Sequence, residues 1–183
     1  PSLLFLSITI CFAACTAFLP LLSLERSISQ VSLFFIFHGG ISILARPTGG
    51  ALGDRIGRLP VILFGMLSMT IAMLYLSVSN SNFDMMLTGL FTGLGVSLCN
   101  TGLFALTLDR VSSHEQGSAT AVIQLAWDVG IIVSGIGLGL IATKFGIASL
   151  FVAGAFFPFI AFITIIILII NGTLSLKKPV YGN

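Results

Sequence analysis

The chain has 183 residues, of which 56% are hydrophobic and only 8% charged, and its formal net charge is +2. Soluble domains carry about 25% charged residues, so a mean hydropathy of +1.13 leaves too little polar side chain to cover a water-facing surface. These figures exclude a soluble globule and point to an all-helical, polytopic membrane protein, while the scattering of the basic residues excludes a nucleic-acid-binding patch.

The first apolar run, residues 3–22, is long enough to span a hydrocarbon core roughly 30 Å thick. The chain opens at Pro1, inside this run and without a basic leader. That start reads as a piece of a longer polypeptide rather than a signal peptide. Cys11 and Cys15 lie one helical turn apart in the run; with Cys99 they read as small buried hydrophobes, since no neighbour would stabilise a thiolate. A short polar link carrying Glu25 and Arg26 leads to the second run, 31–52, with His38-Gly39-Gly40 in its first half and Arg46-Pro47 near its exit.

The next stretch, Gly49-Gly50-Ala51-Leu52-Gly53-Asp54-Arg55-Ile56-Gly57-Arg58, gathers charge between apolar runs. Charges collect where a chain leaves the hydrocarbon, so a tight loop between membrane helices is expected here. Gly49, Gly53 and Gly57 recur every four residues and would share one close-packing face if helical. Asp54 and Arg58 would pair if the helical turn persists. A phosphate-cradling turn is the soluble alternative, but the Gly-Lys-Ser/Thr ending it needs is missing and no strand precedes it.

The third run is 60–78, with Pro60 suited to a first helical turn. After Ser79-Asn80-Ser81-Asn82 comes the fourth run, 83–108, opened by Asp84, a favourable charge at a helix N-terminus. It carries Gly89-x-x-x-Gly93 and Gly95 as a packing face. A charged loop, 109–117, precedes the fifth run, 118–143, which holds Gly135-x-x-x-Gly139. The sixth run, 147–170, contains Pro158, which is expected to bend it. A polar tail with Lys177 and Lys178 closes the chain. The expectation is therefore one bundle over 1–183, with six spans and both ends on one side. That side carries Arg46, Arg55, Arg58, Arg110, Lys177 and Lys178, against Arg26 and Lys144 on the other. The positive-inside bias makes the richer side, with both termini, cytoplasmic in a cell (inner or plasma) membrane.

The stretch from Gly50 to Arg58 resembles the loop signature of the major facilitator superfamily, with Gly50, Leu52, Asp54, Arg55, Gly57 and Arg58 at the expected places and Leu59 replacing a second basic residue. The resemblance implies half of a twelve-helix transporter, built as a 3+3 inverted repeat. No residue-level match between 3–78 and 83–170 reveals that repeat here. Arg46, the signature, Leu108-Asp109-Arg110 and Gly117-Ser118-Ala119-Thr120 look like the C-terminal half of a bacterial efflux permease. The resemblance further implies gating. Asp54 would cap a helix end in the missing N-terminal six-helix half, while Arg55 and Arg58 complete a charge cluster that Arg46 is close enough to join. These residues would otherwise only set orientation. A lone half would pair with that half or form a homodimer.

Ionisable groups at membrane depth are expensive and usually functional. Asp128 lies roughly 16 Å along a helix starting near Gly117, at 1.5 Å per residue. Thr120, Gln124 and Asp128 are spaced by four, forming a stripe that must face protein or a cavity rather than lipid. Asp128 would carry a coupling proton, bind a cationic or polar substrate beside Trp127, or lock two helices together. His38 is either a proton relay or a hydrogen bonder between packed helices, and Asn100-Thr101 is either a substrate contact or interhelical glue. No catalytic constellation, metal-ligand spacing or nucleotide motif occurs, so no enzyme and no cofactor is expected. The function that follows is secondary active transport by alternating access, as proton-coupled export of small amphiphilic or drug-like compounds. The competing readings are a non-transporting membrane scaffold, and sugar or metabolite uptake within the same superfamily.

Overall fold

The computed structural model describes residues 2–172; the polar tail with Lys177 and Lys178 lies outside them. The described residues form helices α1 (Ser2–Glu25), α2 (Ser32–Ile56), α3 (Arg58–Val78), α4 (Asn82–Leu108), α5 (Gln116–Val133), α6 (Gly139–Phe145) and α7 (Ile147–Ile170), with no strand among them. A single wide π-turn, Ser134–Leu138, joins α5 to α6, so the two make one continuous fifth span. Five spans are long and apolar enough to cross a membrane. The α2 helix is long enough, but His38, the glycines and Arg46 dilute its apolar character, so five rather than six qualify by composition.

Several boundaries differ from the sequence expectation. The signature is no loop. Helix α2 runs on to Ile56, α3 begins at Arg58, and Gly57 alone connects them with φ of 98°. Nothing from Gly49 to Ile56 breaks a helix, and a positive φ is what glycine permits at the one residue where the chain reverses. Helix α7 passes through Pro158 uninterrupted. Gly135 has open space around it and Gly139 meets only the Phe18 ring, so these two make no close helix contact. Gly130 does so instead, against Thr9. The acidic start of α4 forms as expected: Ser81 and Asp84 build a reciprocal capping box, and Tyr75 Oη donates to Asp84 Oδ1 at 2.7 Å.

The first helix of each triplet packs against the second and third helices of the other, α4 on α2 and α3, and α1 on α5 and α7, while α3 and α7 meet each other. Arg26, just after α1, donates to Ser77 O and Ser79 O at the end of α3. At the opposite end, Arg58 at the start of α3 meets Asp109 at the end of α4. Helices α1 and α3 therefore run parallel and α4 runs against both, which is the direction reversal an inverted repeat requires. Glycines permit the close crossings. An added Cβ at Gly95 would sit 2.9 Å from Met69 N and 3.0 Å from Gly65 O, so α3 and α4 touch backbone to backbone. The core comprises Phe5, Ile8, Met66, Met69, Met73, Phe151 and their neighbours, with Cys11, Cys15 and Cys99 free and buried among them.

Candidate substrate cleft

Two sides of the bundle differ in chemistry. Between α3 and α7 runs an apolar groove of about 370 Å³, formed by residues such as Leu67, Ile71, Leu74, Phe156 and Phe159. Between α2, α4 and α5 lies a cleft of about 410 Å³ lined by Arg46, Asn100, Thr101, Phe104, Gln124 and Trp127. Its lining residues sit about 6–17 Å from the helix ends at the signature face, counting 1.5 Å per residue from Leu108, Ile56 and Gln116. Two aromatic walls are braced by α1: Phe104 stands edge-on to Phe5 with centroids 5.1 Å apart, and Trp127 tilts against Phe12 at 5.7 Å.

Much of the polar capacity of this cleft is unspent. Arg46 is exposed, and neither it nor Asn100 nor Thr101 makes a hydrogen bond or ion pair among the described residues. The contrast with the other threonines is informative. Every other threonine among the described residues donates its hydroxyl to a carbonyl of the preceding turn of its own helix. Gln124 Nε2 donates to Asp128 Oδ1 at 3.5 Å.

The sequence candidates separate into distinct places. Arg46, Asn100 and Gln124 converge on the cleft, although Arg46 was expected to join the signature charges. It lies ten residues, about 15 Å at 1.5 Å rise, before the end of α2, too far along the helix to do so. Asp128 is exposed rather than buried. Helix α5 packs onto α1 through Ile123, Trp127 and Gly130, which turns Asp128 to the uncovered flank, one turn beyond Gln124. Thr120 lies on the same uncovered side. His38 stands apart from the cleft, stacked with Phe12 at 5.5 Å and Phe34 at 5.9 Å, its Nδ1 buried without a partner.

At the signature, Arg58 bridges two carboxylates. Its Nη2 lies 2.9 Å from Asp54 Oδ1 and its Nε 3.3 Å from Asp109 Oδ2. Gly53 makes room for this, since a Cβ there would come within 3.1 Å of Arg58 Nη1. A Cβ added at Gly50 would meet the Thr101 methyl at an ordinary 3.7 Å. Arg55 is exposed and forms no ion pair among the described residues. Asp109 is a participant that sequence reading did not assign. The available signals were its charge at the end of an apolar run and its place in the Leu108-Asp109-Arg110 stretch of the resemblance. Phe12, Phe104 and Phe5 were likewise missed, being aromatic residues in apolar runs with nothing to distinguish them.

A membrane bundle whose first helices exchange partners across two triplets, with a polar cleft on one side and a charge bridge at one end, is the architecture of a helical transporter. The family model of the Major Facilitator Superfamily matches residues 2–180, and the chain belongs to that superfamily of membrane transporters. Among relatives, an uncharacterized MFS-type transporter of Methanocaldococcus jannaschii is 23% identical over 134 residues, 73% of this chain and 34% of the relative. An uncharacterized MFS-type transporter of Bacillus subtilis, YwoD, is 30% identical over 66% of this chain and 27% of its own length. The multidrug resistance protein MdtG of Salmonella choleraesuis is 28% identical over 80% of this chain and 35% of its own. The chain thus spans about a third of the length of the curated relatives it matches.

Proposed function

We propose that this chain is one mobile bundle of a secondary active transporter that works by alternating access and exports small amphiphilic compounds in exchange for protons. The observation that carries this reading is the cleft: polar groups from three helices, those of α2 and α4 unspent, meet two braced aromatic rings in a bundle that is otherwise apolar. Such groups are costly at membrane depth unless they meet a ligand or a water-filled passage. A second six-helix bundle, from the rest of the polypeptide or from another copy, would cover this face and complete the passage. The multidrug resistance relatives favour export.

Asp128 is the proton-coupling group in this scheme. Its carboxylate sits beside Gln124, which also lines the cleft, so protonating it would release the Gln124 amide toward substrate. The Asp54–Arg58–Asp109 bridge is the latch at the signature face, opening and closing against the covering bundle. Arg55, Arg58 and Arg110 at that face, against Arg26 and Lys144 at the other, support a cytoplasmic orientation for it in a cell membrane. Flux of an amphiphilic dye from proteoliposomes of the full-length protein tests this. An imposed proton gradient is expected to drive flux in the wild type, and Asp128→Asn is expected to uncouple the two. Equal flux with and without the gradient would refute proton coupling.

A further inference from the structure

The cleft can be read for the charge of what it binds. Arg46 offers five N–H donors and no acceptor, and no carboxylate lines the cleft with it. Asn100 and Thr101 add an amide and a hydroxyl with nothing else to bond, one residue apart on α4. Gln124 directs its amide nitrogen to Asp128 Oδ1, and Asp128 itself is not among the residues that line the cleft. What remains on the polar wall is weighted toward donors around a guanidinium. The lining also includes two rings, each in contact with an aromatic residue of α1, Phe104 with Phe5 and Trp127 with Phe12. A volume of about 410 Å³ admits a compound of one or two fused rings rather than a long chain.

We propose that the cleft selects organic anions, specifically a carboxylate on a flat aromatic body. The carboxylate is gripped by the Arg46 fork with Asn100 and Thr101 donating beside it, and the rings lie between Phe104 and Trp127. An arginine meets a carboxylate through two parallel N–H···O bonds, which a neutral amide or an ammonium cannot reproduce. The inference rests on the transporter reading of the same cleft, but adds a charge preference which that reading does not require.

Equilibrium binding of 2-naphthoate, 2-naphthamide and 2-naphthylmethylammonium to the full-length protein in nanodiscs, corrected with empty nanodiscs, tests it. The acid is expected to bind at least about tenfold more tightly than the other two, the equivalent of one charge-assisted hydrogen bond. Arg46→Gln should erase that preference while leaving the amide's affinity in place, and Arg46→Lys should keep only part of it. Trp127→Leu should weaken acid and amide alike. Equal binding of all three probes, a preference that survives Arg46→Gln, or no binding because Arg46 pairs with a carboxylate of the covering bundle would each overturn the proposal. Proton-driven flux of the ammonium alone would sink the anion preference and keep the transporter. Binding of the acid with no flux of any probe would do the reverse.

Discussion

Replacing His38 by phenylalanine separates packing from proton relay. The imidazole stacks with both Phe12 and Phe34, with centroids at 5.5 and 5.9 Å and interplanar angles of 29° and 13°. Its Nδ1 is buried without a partner, and a buried polar group left unsatisfied costs about 1–3 kcal/mol. Phenylalanine keeps both ring contacts and removes that cost. His38→Phe is therefore expected to stabilise the protein by up to about 1–3 kcal/mol, with Tm rising roughly 2–4 °C per kcal/mol at this chain size. His38→Ala gives up both contacts, each worth about 0.5–1.5 kcal/mol, and opens a cavity besides, so it should melt well below the wild type. Thermal unfolding of the three purified proteins in one detergent, followed by circular dichroism, gives the ranking. Proton-driven dye flux measured on the same preparations should be unchanged in His38→Phe. A His38→Phe protein that melts below the wild type, or that loses proton-driven flux, would refute the packing argument and make the titration of His38 part of the cycle.

Two further outcomes follow from single contacts. Gly95→Ala pushes a methyl into Met69 N and Gly65 O, backbone atoms that cannot yield, and overpacking of this kind costs about 1–3 kcal/mol. Gly50→Ala meets only the Thr101 methyl at 3.7 Å and should gain up to about 1 kcal/mol of helix propensity; equal unfolding midpoints for the two would contradict the helix contacts described. At the signature face, a double-mutant cycle over Arg58 and Asp109 should return a coupling of about 0.2–1 kcal/mol that shrinks with added salt, because both partners are solvent-accessible. A salt-independent coupling several times larger would mean that the bridge is enclosed.

Where the sequence was legible, the cue was local. Helix α7 starts and ends where its apolar run does, between Gly146 and Asn171. The acidic start of α4 was visible in Asp84, while the reciprocal bonds with Ser81 emerged only in the structure. Charge density misled at the signature: Asp54 and Arg55 read as loop, yet they decorate the last turn of α2 while a single glycine makes the reversal. The π-turn left no trace, since Ser134–Leu138 has the composition of any small-residue helix. Asn100 and Gln124 were recognisable as polar groups at depth and Arg46 was read at the membrane face; their meeting depends on how three helices cross, which no local pattern encodes. Asp128 was legible as a member of a polar stripe that faces protein or a cavity, and in this bundle alone it lies on the uncovered flank. Which flank is covered depends on the faces that Ile123 and Gly130 turn to α1.

The exchange of partners between the two triplets has a mechanical consequence. Neither triplet owns a core: α4 lies against α2 and α3, and α1 against α5 and α7, so pulling one set of three away would strip the other bare. A bundle woven in this way resists shear between its two triplets, and the polar groups it leaves unspent lie outside that weave, in the cleft between α2, α4 and α5.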